Sequence, residues 1–352
     1  MMTEKIKEWL QEKRPFVVYR KPNETVRFGW FQKNDDLHTT TVLEQSCFVF
    51  APFSGAEKVV FYPENCQLIK DDSDFEVSFS EKDMMLENPL VNKAFHIQLV
   101  QKGIDAIQSG AMEKVVLSRK EEVIIDQSLY ETYYQRFLEK YPTAFVYWFY
   151  HPKTGMWMGA TPEQLVKIES NTVKTVALAA TQVDKGMDLK QVIWGEKEQK
   201  EQQVVTDFIV DSLKPFSKEI RQTPPFTHRA GSLLHIKTDI EAELSDGKNA
   251  YDVVEALHPT PALCGFPKDV SRDFIITNEG YDREFYGGFL GEWKFNNLDY
   301  ENASDLFVNL RCMKIDDSKG YLFLGGGINK DSDPESEYNE TVNKSKTVKS
   351  IL

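Results

Sequence analysis

The stretch LGGGINKDSDPESEYNETVNKSKTV, residues 324–348, constrains the fold of this chain more than any other. It reads as a buried strand over 321–324, a triple-glycine turn (Gly325, Gly326, Gly327), a polar linker and a helix. The helix start is well marked, because Asp333 is a good N-cap and Pro334 suits the first helical position. Glu337, Glu340 and Lys344 follow at i, i+3 and i+7, so all three lie on one helical face. Two carboxylates and an ammonium beside a turn that only glycine fits easily suit a metal ion and an anionic ligand together. A solvated helix with one Glu–Lys pair explains the same pattern, since charged faces usually point to water.

The rest of the chain supplies strands and helices in alternation. Residues 1–90 give a short amphipathic helix (Ile6, Trp9, Leu10) and strand-like runs at 16–20, 26–31, 47–53 and 58–62. Glycine, Asn and Asp separate these runs, as between strands of an antiparallel sheet. Residues 71–87 are acidic and polar and read as a loop or linker. No catalytic constellation stands in this part, which reads as half of a sheet scaffold. Residues 92–110 fit a helix, with Phe95, Leu99, Val100, Ile104 and Ile107 on its apolar face. Ser128-x-x-Glu131 is a capping box that opens a helix over 128–141.

Several polar groups stand out against this background. In MEKVVLSRKEEVII (112–125), Lys114 lies in an apolar strand, where a lysine either sits at an edge or faces a cavity. Glu163 follows Pro162 in a small-residue loop between two apolar runs. A carboxyl held there is either desolvated, with a pKa raised into the range of a general acid, or a turn carboxylate capping a backbone NH. The strand 173–181 ends in Ala179-Ala180-Thr181, small residues that let a ligand approach the backbone. Glu198 and Glu201 open a helix running to Leu213 and repeat the Glu337/Glu340 spacing. Two such pairs on separate helices can build an oxygen-rich site of the kind Mg²⁺ favours, provided the helices meet. His235 lies in a strand, where a lone histidine is more often a satisfied core residue. HPTPALCGFPKD (258–269) makes a rigid, irregular wall around Ala262 and Leu263. Arg311 reads as mid-strand within 306–313, between apolar neighbours, and so needs an anionic partner.

Charge narrows the partners. The net charge of −13 argues against nucleic-acid and anionic-membrane binding, so an anionic substrate would need a local positive island. The four cysteines are scattered, which points to a reducing compartment and no zinc site. No run of about 18 apolar residues occurs, and the expectation is a cytoplasmic protein.

Taken together, KVVLSR, GATPEQL, ALAAT, LLH, HPTPALCGFP, FYGGFLG, LRC, GGGI and SDPESEYNETVNK resemble, in order, the motifs of the chorismate-utilising enzymes. That family includes isochorismate synthase, salicylate synthase and the large chains of anthranilate and aminodeoxychorismate synthase. The resemblance covers roughly residues 92–350, with residues 1–90 matching only in general character. It implies one α+β domain over 1–352, with two large antiparallel β-sheets packed face to face and helices outside.

The resemblance also implies roles. Lys114 stands where water-using members carry their base and ammonia-using members lack it, so no glutaminase subunit is expected. Glu163 stands at the family's acid. HPTPAL at 258–263, with Ala262 and Leu263, favours isochorismate synthase over salicylate synthase. Glu201 and Glu340 match the direct Mg²⁺ ligands, with Glu198 and Glu337 in support. Arg311, Lys344 and the backbone around Gly325, Gly326 and Gly327 match the contacts to the chorismate carboxylate; Ala180, Thr181 and His235 complete the substrate site. Two positions depart from the pattern: Ala180 stands for a usual glycine, and Gln202 for a common histidine. The implied activity is Mg²⁺-dependent, reversible conversion of chorismate to isochorismate by a monomer, for menaquinone or catechol siderophore synthesis. Salicylate synthase and a non-catalytic chorismate-binding protein remain the alternatives.

Overall fold

The computed structural model describes residues 2–73, 93–184, 186–230, 233–295 and 303–352. Two antiparallel sheets form the body, as expected. The first runs Gly265–Phe266, Lys114–Ile124, Lys319–Ile328, Cys312–Asp316, Gly155–Thr161, Phe145–His151, Phe16–Arg20, Arg27–Gln32 and Cys66–Asp71. The second runs Ser217–Gln222, Leu233–Leu244, Thr172–Val183, Gln164–Glu169, Ala303–Val308, Phe289–Trp293, Cys47–Ala51, Lys58–Phe61 and Thr39–Thr40, with Phe226–Ala230 also paired to Leu233–Leu244. Residues 16–71 supply the last three strands of each sheet in these orders. The acidic segment expected as a loop begins instead in strand at Asp71, and its residues 74–87 lie outside the described residues.

The sheets pack face to face through aromatic side chains. Phe50 of the second sheet meets Phe149 of the first at 4.7 Å between ring centroids, and Phe145 meets Phe307 at 4.4 Å. These rings are wholly buried or nearly so, and their burial is the main force holding the two layers together. Helices Met2–Gln11 and Tyr130–Lys140 cover the outer face of the first sheet through Ile6, Trp9, Tyr134 and Phe137. Helix Lys93–Gln108 packs Leu99, Val100 and Ile104 beside Val115, Leu117 and Ile328. Helix Glu196–Leu213 lays Val205 and Ile209 on the second sheet. None of the helices described is long and apolar enough to cross a membrane.

Several local expectations are corrected. Gly325, Gly326 and Gly327 do not form a turn. The strand runs on to Ile328, with the three glycines paired to Ser118, Leu117 and Val116. The expected strand 306–313 is two strands in different sheets, separated at residues 309–311. There the buried Asn309 accepts from the Tyr147 hydroxyl at 2.7 Å and donates to the Phe285 carbonyl at 2.9 Å, while Arg311 turns the chain at φ +53°. The capping box does not form. Asp126 accepts from the Ser128 amide at 2.9 Å, and the α-helix starts only at Tyr130. Phe95 is half exposed, and His96 takes its place on the buried face of its helix.

Candidate active site

The site grows from two places where the chain passes between the sheets. Gly155–Thr161 belongs to the first sheet and Gln164–Glu169 to the second, so Pro162 and Glu163 form one crossover. Residues 309–311 form the other, running antiparallel beside it. The Val308 amide donates to the Glu163 carbonyl at 2.9 Å, and the Ala160 amide to the Arg311 carbonyl at 3.2 Å. The Thr161 hydroxyl ties the pair further, donating to the Val308 carbonyl at 2.6 Å. Glu163 and Arg311 therefore reach the same cleft, because neither side chain is spent inside a sheet.

Burial pushes the Glu163 carboxyl up to about 7, and the nearby Arg311 and Lys114 cations pull it part of the way back. The carboxyl lines a crevice with Thr260, Pro261 and Ala262, at the irregular wall read from the sequence. Arg311 is itself held below its ordinary value by burial, opposed by Tyr286, Glu163 and Glu340. An acid near neutrality beside two cations is suited to giving up one proton.

The glycine strand forms the floor. A Cβ on Gly325 would lie 2.5 Å from the Tyr286 hydroxyl, one on Gly327 would lie 3.1 Å from Lys114 Cε, and one on Gly326 would lie 3.4 Å from Glu337 Oε2. The glycines thus clear space for polar side chains that lie over the strand. Lys344 Nζ donates to the Gly325 carbonyl at 2.9 Å. Burial lowers the Lys344 pKa, with Glu340 opposing and Arg311 adding to the fall. Lys344 and Arg311 form the positive island that an anionic substrate needs in an acidic protein.

The third wall is a β-bulge. Register between Thr172–Val183 and Leu233–Leu244 shifts between Ala179 and Gln182, and Ala180 adopts φ +59°. This is the left-handed region that glycine occupies without a Cβ penalty, so the alanine sits where the backbone prefers glycine. His235 Nδ1 lies 2.9 Å from the Ala180 carbonyl. Burial lowers the His235 pKa, the contact with the Ala180 carbonyl opposes the fall, and His228, Arg311 and Lys344 add to it. Thr181 lies in the strand, and its side chain lies outside the described residues. Gln202 does not join the carboxylates. It is buried and donates to the Ala177 carbonyl at 2.9 Å and to Thr238 Oγ1 at 3.2 Å, fastening its helix to the bulged strand.

The four glutamates divide. Glu201 meets Lys114 at 3.2 Å, and Glu340 meets Lys344 at 2.5 Å. Glu337 is raised by burial, accepts from Ser332 Oγ at 2.7 Å, and is influenced by Glu340, Lys344 and Lys197. Lys197, in the first turn of helix Glu196–Leu213, is near enough to act on the Glu337 charge, and Glu201 of the same helix reaches Lys114. Glu198 is the exception, with its carboxylate beside Gly195 at the start of its own helix. Among the described residues no three His, Cys, Asp or Glu side chains gather into a metal cage. Glu201 and Glu340, one from each acidic helix, are the hard oxygen donors that suit Mg²⁺, which commonly uses one or two carboxylates plus substrate oxygens.

Most of the expected residues therefore converge: Lys114, Glu163, Ala180, Glu201, His235, Ala262, Arg311, Glu337, Glu340 and Lys344. Leu263 turns inward and offers its carbonyl to Arg283 at 2.8 Å. Sequence reading missed Tyr286, whose hydroxyl faces Gly325 and whose charged form would bear on Arg311. Its motif FYGGFLG was visible, but an aromatic in an apolar run carries no sign of polar work.

Glu163 and Arg311 at the crossovers between the sheets, with Lys114 and Lys344 beside them, place an acid within a cationic cleft. The chain belongs to the chorismate binding enzyme family, whose profile matches residues 50–352. It is 36% identical over 204 residues to the salicylate biosynthesis isochorismate synthase of Pseudomonas aeruginosa, covering 55% of this chain and 41% of that one. It is 30% identical over 266 residues to anthranilate synthase component 1 of Thermococcus kodakarensis, covering 73% and 59%. Isochorismate synthase EntC of Escherichia coli K12 is 28% identical over 263 residues, covering 72% and 66%. The chain thus spans between two fifths and two thirds of the length of these relatives. In fold it matches the menaquinone-specific isochorismate synthase MenF of Escherichia coli, with TM-score 0.80, 19% identity and coverage of 96% and 88%. The anthranilate synthase component I of Streptococcus pneumoniae follows at TM-score 0.70, 18% identity and coverage of 95% and 89%.

Proposed function

We propose that this chain is an isochorismate synthase, an isomerase that interconverts chorismate and isochorismate with Mg²⁺, as a cytoplasmic monomer without a glutaminase partner. The observation that carries the reading is Glu163, a buried carboxyl raised to about 7 with the Lys114 amine near enough to pull it part of the way back. A water-using base and a leaving-group acid within one cleft are what the exchange of a ring hydroxyl needs.

Chorismate is a dianion with a hydroxyl at ring C4. Arg311, Lys344 and the backbone at Gly325–Gly327 hold its carboxylate, and the 258–267 wall sets the ring between Lys114 and Glu163. Lys114, freed from Glu201 and neutral, takes a proton from water as the oxygen bonds to C2. Protonated Glu163 gives its proton to the C4 hydroxyl, which leaves as water while both ring double bonds shift, C1=C2 to C1=C6 and C5=C6 to C4=C5. In the reverse direction Glu163 is the base and Lys114 the acid. Mg²⁺, held by Glu201 and Glu340 with Glu198 and Glu337 around them, would supply electrostatic withdrawal of charge from the ring through the bound carboxylate.

Incubation of the purified protein with chorismate and Mg²⁺, followed by NMR with and without EDTA, tests the reading. Isochorismate in equilibrium with chorismate, abolished by EDTA, is the expected result. Salicylate with pyruvate would make the chain a salicylate synthase. Tight chorismate binding without turnover would make it a non-catalytic binding protein.

A further inference from the structure

A buried ion pair stands behind the site, between the motifs that carry the family likeness. Glu279 and Arg283 are 1% and 2% exposed. Arg283 Nε donates to Glu279 Oε2 at 2.7 Å, and a second contact joins Nη2 to Oε1. The pair reaches out in two directions. Glu279 Oε1 accepts from the Ser118 amide at 2.7 Å and from Ser118 Oγ at 3.0 Å, while Arg283 Nη2 donates to the Val116 carbonyl at 2.7 Å. Arg283 Nη1 donates to the Leu263 carbonyl at 2.8 Å. The guanidinium lies over the Phe53 ring, 4.4 Å from its centroid, which fixes its plane.

These bonds join two parts of the site that share little regular pairing. The strand Lys114–Ile124 is paired along one edge to Lys319–Ile328, and on its other edge, among the described residues, its only strand partner is Gly265–Phe266. Beyond that two-residue strand, the Val116 amide donates to the Cys264 carbonyl at 2.9 Å and Ser271 Oγ to the Lys114 carbonyl at 2.9 Å. The Glu279–Arg283 pair adds ties at Val116 and Ser118, alternate residues of the strand that carries Lys114. On the far side it holds the loop whose Ala262 lines the crevice of Glu163.

Burying two charges costs several kcal/mol in desolvation, and well-packed apolar replacements are often as stable. The pair's distinctive yield is directional: a planar fork that meets two backbone carbonyls at once. We propose that Glu279 and Arg283 are positioning residues, whose ion pair locks the 258–267 wall against the Lys114 strand and so sets where the substrate ring sits between Lys114 and Glu163. This inference rests on the isochorismate synthase reading.

Arg283→Lys tests it, because an ammonium keeps the charge beside Glu279 but cannot reproduce the fork. Turnover of chorismate and amide hydrogen exchange are measured side by side in wild type and variant. The expected result is a kcat lower by about 10- to 100-fold with KM for chorismate nearly unchanged, since small misplacement of reacting groups costs this much. Exchange should rise in residues 258–267 and stay at the wild-type level in 172–183. Glu279→Gln, which keeps an acceptor for Ser118, should show the same pattern. Wild-type kcat with unchanged exchange at 258–267 would overturn the proposal. So would a uniform rise in exchange across both segments, or loss of folding in both variants, which would assign the pair to the fold alone. If wild type makes no isochorismate, the functional reading fails, and the exchange at 258–267 still judges the clamp.

Discussion

Lys114 and Glu201 hold each other across the cleft, with the amine nitrogen 3.2 Å from a carboxylate oxygen. One comes from the first sheet, the other from a helix packed on the second. The base and a metal carboxylate of the proposed reaction are thus each other's partners. An ammonium has no lone pair to receive a proton, so turnover requires this contact to open and the amine to give up a proton first.

Lys114→Ala should reduce isochorismate formation by about 100- to 10,000-fold, the range typical for loss of a general base. Chorismate binding, followed by calorimetry, should survive. Lys114→Met should also tighten divalent-cation binding, read with Mn²⁺ by electron paramagnetic resonance, because Glu201 loses its competing ammonium. Unchanged turnover in Lys114→Ala would contradict the assignment.

Glu163 makes activity and stability depend on pH in a defined sense. As the acid for the forward reaction it must be protonated, so forward kcat should fall as pH rises through about 7. A carboxyl raised in the folded state binds more protons there than in the unfolded chain, so stability is lost as pH climbs from about 4.5 through about 7. The rise from 4.5 to about 7 corresponds to about 3 kcal/mol at most. Glu163→Gln should therefore gain on wild type in urea unfolding at pH 8 but not at pH 4, while losing turnover. An equal gap at both pH values would show that burial does not hold the carboxyl protonated.

Ala180 carries strain that glycine would relieve. At φ +59° a Cβ costs about 1 kcal/mol. Ala180→Gly should raise the thermal midpoint by a few degrees, since about 1 kcal/mol shifts it by roughly 2–4 °C in a large domain. A lower midpoint would show that the alanine is at ease in the bulge.

The glycine strand separates two kinds of damage. In Gly327→Ala the new methyl meets Lys114 Cε, the far part of a flexible side chain. The fold should hold while turnover drops. In Gly325→Ala it meets the hydroxyl of Tyr286, which is buried and stacked on Phe323 at 5.3 Å. Stability should fall as well, by about 1–3 kcal/mol for overpacking. Unfolding curves and chorismate turnover on both variants distinguish the cases.

The sequence made local chemistry legible and long-range closure much less so. Asp333 and Pro334 announce their helix, and Asp333 does accept from the Ser336 amide at 2.9 Å. The spacing of Glu337, Glu340 and Lys344 is fixed by helical geometry alone. The glycine run misled, because three glycines suit a turn as well as a strand crowded by side chains from elsewhere, and no local pattern reveals Tyr286 or Lys114 overhead. The break at residues 309–311 was hidden for the same reason: apolar neighbours flank it on both sides, and only the second sheet shows that the chain changes layers. The Glu279–Arg283 pair lay between motifs, each residue unremarkable until the fold brought Val116, Ser118 and Leu263 to it.

Isotope tracing in H₂¹⁸O tests the central claim most directly. With chorismate, Mg²⁺ and wild-type protein, the isochorismate formed should carry one ¹⁸O, at the C2 hydroxyl, and label should later enter recovered chorismate at C4. Unlabelled isochorismate, or labelling that proceeds equally fast in Lys114→Ala, would contradict water attack assisted by Lys114.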